Sequence, residues 1–249
     1  MNKEAEFKAL CEDVKKCTIC HKVKFSPHLV NSDFLSHEKS SDETDYVNKW
    51  NIAKWNPNKG YHGDKIDIMI IGQDYGAFEN NNDESPTDIN LKKLIFNELK
   101  IDINDENHRL FLTNMANCYR QKKSTGKINK GCLYLCTHKF MGRLIKIISP
   151  KVIIVLGQDT FDALAFCDGA ELICANPSTT NKNNNFSTII EISGYKLVFE
   201  NGLEIPVFPV YHTGKLGNMN SSKNEKTNNN NNEENFDWKK IAEHLKRRP

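Results

Sequence analysis

The chain has 249 residues, with 34 Lys and Arg against 32 Asp and Glu, a formal charge of +2. That length holds one large domain or two small ones, and a near-balanced charge excludes a histone-like basic protein or an acidic tail, though not a local basic patch. No run approaches the roughly 18–20 continuous apolar residues of a membrane span, and the opening MNKEAEFKAL lacks the apolar core of a signal peptide. A soluble protein of the cytoplasm, without a membrane partner, is expected.

Residues 4–16 predict a short helix, and residues 21–65 show no clear period. IDIMIIG (Ile66–Gly72) is an apolar run closed by glycine and reads as a buried strand. Residues 88–99 carry Ile89, Leu91, Leu94, Ile95 and Leu99 at helical spacing. LFLTNM (Leu110–Met115) predicts a second strand, followed by a basic loop and a helix over 132–148 with Phe140, Leu144, Ile145 and Ile148 on one side. SPKVIIVLG (Ser149–Gly157) is a third strand and QDTFDALAF starts the next helix. Strand-like pieces at 187–192 and 195–199 lie in an ambiguous interval, 168–205. PVFPVYH (Pro206–His212) is a fourth strand, and an amphipathic helix over 234–248 ends the chain. Asparagine runs such as Asn80–Asn82 and Asn228–Asn232 read as solvated loops.

Strands alternating with helices imply right-handed crossovers and a parallel sheet covered on both faces. The expectation is one three-layer α/β/α domain over 1–249 with a central parallel four-stranded sheet, a cysteine-containing N-terminal segment (1–40) and the C-terminal helix. Ligands of such sheets sit at the carboxyl ends of the strands. Those ends carry Gly72-Gln73-Asp74-Tyr75-Gly76, Thr113-Asn114, and His212 followed by Thr213-Gly214-Lys215-Leu216-Gly217. An acid, an amide and an imidazole would thus share one rim. An amide reads a base edge through paired donor and acceptor, an Asp orients or deprotonates water, and a His stabilises a developing anion.

Eight cysteines in a chain without an export signal point to metal rather than disulfides. Cys17-Thr-Ile-Cys20 is a CxxC pair whose spacing lets two thiolates share one metal. The loop from Arg120 to Lys130 carries Arg120, Lys122, Lys123, Lys127 and Lys130 without an acid, which suits either solvent or nucleic-acid phosphates. Trp50, Trp55 and Tyr61 suit a core or lid, or stacking on bases.

Four of these segments together resemble a known family. Gly72-Gln73-Asp74 is similar to the GQDPY water-activating motif of uracil-DNA glycosylases, and Thr113-Asn114 followed by Cys118 to the TNxxxC segment of their iron–sulfur branch, family 4. SPKVIIVLG resembles that branch's PxVIxxLG strand, and VYHTGKLGN its histidine motif, usually HPS. The resemblance implies a DNA repair hydrolase that flips a uracil or related base and cleaves its N-glycosidic bond. Asp74 and His212 would be catalytic, Gln73 would contribute backbone contacts to the base and Asn114 would read its edge. Leu216, beside Lys215, would be the wedge that fills the gap left by the flipped nucleotide, with Gly214 and Gly217 letting the loop approach DNA. Lys122 and Lys123 would contact phosphates.

The resemblance also implies a four-thiolate site from Cys17, Cys20, Cys118 and Cys136, holding a 4Fe–4S cluster or zinc. Cys132 competes with Cys136, and Cys11 with an N-terminal ligand, while Cys167 and Cys174 read as ordinary thiols. The chain departs from the family pattern at three places. Tyr75 stands where the motif has Pro, Pro86-Thr87 replaces a Pro-Phe pair whose Phe stacks on the base, and His212-Thr213-Gly214 replaces HPS. Tyr75 or Phe78 is the expected substitute platform. A monomer acting on uracil-containing DNA is the expectation, against a catalytically silent nucleic-acid binder or a hydrolase of free nucleosides or nucleotides.

Overall fold

The computed structural model describes residues 2–22, 29–30, 65–75, 86–103, 109–120, 128–175, 185–192, 194–214 and 236–247. Its centre is a set of four parallel strands, β2 (Ile68–Tyr75), β3 (Leu110–Arg120), β4 (Val152–Leu156) and β7 (Glu204–Val210). These are the four apolar runs of the sequence. Antiparallel strands extend both edges: β1 (Leu29–Val30) pairs with β3, while β6 (Tyr195–Phe199) pairs with β7 and β5 (Ala170–Cys174) with β6. The seven strands lie in the order β1-β3-β2-β4-β7-β6-β5.

The period-2 alternation of side chains explains why the central runs are apolar throughout. Ile68 and Ile70 of β2 and Val152 and Ile154 of β4 pack with Leu91 and Ile95 of α2 (Pro86–Asn97) and with Trp238 and Ile241 of α7 (Phe236–Lys246). Their neighbours Met69, Ile71, Ile153 and Val155 point the other way, onto Phe7 and Leu10 of α1 (Lys3–Lys15) and onto the helices between β3 and β4. Both faces are covered, as a three-layer α/β/α sandwich requires. Phe7 meets Phe111 edge-on at 6.2 Å, which docks the N-terminal helix on β3 and delivers Cys17 and Cys20 to that side of the sheet.

The helix expected over 132–148 has two α segments, α3 (Lys130–Cys136) and α4 (Gly142–Ile148), joined by a π-helical turn, Thr137–Met141. Asn129 caps α3 by accepting from the Gly131 N–H at 2.8 Å. Just past Cys136 the Thr137 hydroxyl donates to the Leu133 carbonyl at 2.8 Å, a bond that occupies the carbonyl where the ladder widens. After β4 comes α5 (Gln158–Leu164).

Two readings in the interval 168–205 need correction. Residues 187–192 look strand-like, yet Phe186–Glu191 is a helix, α6. Asn185 accepts from the Thr188 N–H at 3.0 Å, and this cap outweighs the β-branched character of Thr188, Ile189 and Ile190. Ala170–Cys174 is a strand that the sequence does not announce, because it is half-exposed at the sheet edge and shows no alternation. Lys130, read with the basic loop, instead forms an ion pair with Asp159 at 2.7 Å across α3 and α5.

Candidate active site

Strand β2 lies between β3 and β4, so the chain leaves β2 in one direction across the sheet and returns to its other side. This reversal opens a crevice at the carboxyl ends of the strands. Asp74 is the last residue but one of β2, Asn114 lies on β3, Gly157 follows β4 and His212 follows β7, so four adjacent strands contribute to one rim.

Gly72 and Asn114 are register partners on β2 and β3. The Asn114 carboxamide lies so closely over Gly72 that a methyl group there would overlap its Oδ1. Gly72 is therefore a seat for Asn114, and its requirement is space rather than backbone conformation. Gly157 does need its conformation: at φ 88° it turns the chain out of β4 and donates its N–H to the Val210 carbonyl at 2.9 Å, and a methyl group on it would stand 3.7 Å from the His212 Cβ.

His212 has a defined hydrogen-bonding state. Its Nδ1 accepts the Gly214 N–H at 3.0 Å, which leaves Nε2 as the nitrogen that carries the proton. The ring is open to solvent on one side, but the strand ends around it still remove enough water to lower its pKa below the ordinary histidine value. Asp74 partly opposes that shift, so the two groups feel each other's field. A neutral imidazole that keeps its proton on Nε2, within the field of a carboxylate, is a donor to a developing anion.

The turn after His212 is tied to the start of α2. The Thr213 hydroxyl donates to the Thr87 carbonyl at 3.2 Å, and the Asn90 amide donates to the Thr213 carbonyl at 3.1 Å. Thus two of the positions that depart from the family pattern, 87 and 213, meet in space. Asn90, which the sequence offers only as one polar residue of an amphipathic helix, joins them.

On the α1 side of the sheet, Cys17, Cys20 and Cys136 line one cavity with Val14, Ile19, Asn117 and Phe140. Cys11 and Cys132, the competing ligands, are buried in the core and do not line it. Among the described residues no three His, Cys, Asp or Glu side chains converge closely enough to hold an ion. Cys118 follows Asn117 on β3, where the pairing with β2 slips, and its side chain is outside the described residues. Asn117 tests whether the cavity suits a metal group. It is 2% exposed, its N–H meets Cys136 Sγ at 3.4 Å, and neither polar atom of its carboxamide has a partner among the described residues. An orphaned buried amide costs about 1–3 kcal/mol unless something outside the chain satisfies it. Lys139 Nζ stands 4.0 Å from Cys17 Sγ, which places a positive charge beside a thiol that a metal would hold as thiolate. The donor set suits a soft, thiolate-bound metal group. Burial pushes the Cys167 thiol up to about 12, in keeping with an inert core residue.

Gln73 is on β2 beside Asp74, and Tyr75 ends that strand with its side chain outside the described residues. Phe78, Lys122, Lys123, Lys215 and Leu216 lie outside the described residues altogether. No helix among the described residues is long and apolar enough to cross a membrane.

Residues 59–234 match the family model of the uracil DNA glycosylase superfamily. The chain is also 27% identical over 158 residues to the type-4 uracil-DNA glycosylase of Sulfurisphaera tokodaii, an alignment covering 63% of this chain and 62% of that protein. The chain thus matches less than two thirds of that relative's length.

Proposed function

Since the chain belongs to the uracil DNA glycosylase superfamily, we propose that it removes uracil or a related deaminated base from DNA. The observation that supports this reading is a His212 whose Nδ1 accepts the Gly214 N–H, leaving the proton on Nε2, on a residue that feels the Asp74 carboxylate and follows a strand of the same sheet as Asn114. A base flipped into the crevice presents its Watson–Crick edge to the Asn114 carboxamide, which offers both a donor and an acceptor. As the C1′–N1 bond breaks, its electron pair passes to the base, and His212 donates a hydrogen bond to the oxygen on which the charge collects. Asp74 stabilises the positive charge that develops on the sugar and accepts the proton of the water whose oxygen adds to C1′. Backbone groups at Gln73 hold the base, while Tyr75 or Phe78 supplies the platform that Thr87 cannot. Leu216 fills the vacated stack, and Lys215, Lys122 and Lys123 meet the phosphates.

Cys17, Cys20, Cys118 and Cys136 would hold the metal group, a 4Fe–4S cluster or zinc, whose part is structural. Those four thiolates would thereby tie the segment after α1 to β3 and to the end of α3. Cys17→Ser and Cys136→Ser are expected to lose bound iron or zinc on purification without oxygen, while Cys11→Ser and Cys132→Ser keep it. Metal analysis of the four variants checks this, and loss from Cys132→Ser with retention by Cys136→Ser reverses the assignment.

The reading itself is tested by release of free uracil from single- and double-stranded oligonucleotides. Release above a no-enzyme control supports it. A folded, metal-loaded protein that binds the oligonucleotide and releases nothing would be a binder only, and release from free nucleosides alone would make it a small-molecule hydrolase.

A further inference from the structure

The contacts around the turn after His212 have a consequence for the proton on its ring. The peptide unit joining Thr213 to Gly214 is planar, so its C=O and N–H point in opposite directions. Asn90 Nδ2 donates to that C=O at 3.1 Å, and that N–H donates to His212 Nδ1 at 3.0 Å. The residue itself cannot turn, because Thr213 is 1% exposed and its hydroxyl is spent on the Thr87 carbonyl at 3.2 Å. Gly214 packs between the ring and the helix start: a methyl group there would stand 3.0 Å from His212 Nδ1 and 3.3 Å from Thr87 Oγ1.

We infer that Asn90 and Thr213 are positioning residues that fix this peptide and thereby hold His212 in its Nε2–H tautomer. With either contact removed, the peptide is able to flip and present the Thr213 carbonyl to Nδ1 instead. A carbonyl there takes a proton on Nδ1, which favours both the Nδ1–H tautomer and the imidazolium. In the first case Nε2 becomes an acceptor and has no proton to offer a departing base. Threonine at 213 thus supplies through a hydroxyl the rigidity that a proline supplies through its ring. The inference about the ring stands on geometry, whereas its effect on rate rests on the base-release reading above.

The test uses the full chain labelled with 15N at histidine. Wild type is expected to show His212 as a single Nε2–H tautomer above its titration midpoint. Asn90→Leu and Thr213→Val are expected to show a measurable share of Nδ1–H and a midpoint moved to higher pH. Thr213→Ser, which keeps the hydroxyl, is expected to behave as wild type. Asp74 is the charged group that faces the ring among the described residues, and neither substitution touches it, so a shift reports the peptide. Uracil release is expected to fall about 10- to 100-fold in both variants, mainly in kcat. An unchanged tautomer and midpoint in folded Asn90→Leu and Thr213→Val overturns the inference. If Thr213→Val does not fold, Asn90→Leu, on the half-buried face of α2, decides alone. A wild type that releases no uracil while its tautomer responds as stated keeps the inference and removes the base-release reading.

Discussion

Asp74→Asn is expected to slow base release by about 10²- to 10⁴-fold and to leave the thermal unfolding midpoint close to that of the wild type. The substitution is nearly isosteric at a half-buried strand end, so packing changes little. What changes is charge and basicity: an amide cannot take the water proton, and it offers no anion to the developing positive sugar. His212→Ala is expected to cost about 10²- to 10³-fold by removing the donor at the leaving base. Timed release of labelled uracil, set beside unfolding curves of the same preparations, measures both. Near-normal turnover in either folded variant removes that residue from the mechanism.

The same pair sets a pH dependence. Desolvation lowers the His212 pKa, and the Asp74 carboxylate raises it part of the way back. Neutral His212 therefore dominates at pH 7, and the acid limb of the rate lies below the ordinary value of about 6.5. Protonation at Nδ1 would set two N–H groups against each other across the Gly214 contact and turn the ring into a salt partner of Asp74. In Asp74→Asn the raising influence is gone, so the limb of the residual activity is expected to move to lower pH. Stability follows the same linkage. The unfolded chain takes the proton more readily than the folded one, so this group costs stability as pH falls below about 6.5.

Much of the frame is legible in the sequence because burial on both sheet faces leaves uninterrupted apolar runs. Ile66–Gly72, Leu110–Met115, Ser149–Gly157 and Pro206–His212 all become central strands for that reason. The edge strands escape notice for the opposite reason: Ala170–Cys174 is half-exposed and has one neighbour among the described strands, so its residues need neither alternate nor stay apolar. Residues 186–191 mislead because propensity is local, while the Asn185 cap that settles the helix depends on one side-chain bond. At the site, Asp74 is readable as a polar residue just past an apolar run, and Asn114 and His212 as polar residues toward the ends of two others. Asn90 and Asn117 are not. One is a polar residue among several on α2, and the other is an unremarked position before Cys118; only tertiary packing gives either of them a partner or denies it one.

The pairing of Gly72 with Asn114 leads to a second large expected effect, on recognition rather than on charge. Gly72→Ala adds one methyl group where the Asn114 Oδ1 already sits. The backbone there is ordinary strand, which alanine adopts freely. The atom in the way is the end of a rotatable side chain, so the fold yields by moving Asn114 and stability is expected to change by no more than about 1 kcal/mol. The loss falls on the base pocket instead. A carboxamide displaced by about 1 Å no longer matches a base edge, and uracil release is expected to drop roughly 100-fold. Asn114→Ala removes the same carboxamide outright. The double variant is expected to be scarcely worse than Asn114→Ala alone, because Gly72→Ala then has nothing left to displace. Rates for the four proteins close this cycle. Strictly multiplicative losses would mean that Gly72 acts on the pocket by some route other than Asn114, whereas non-additive losses identify the glycine as the floor on which the reading amide rests.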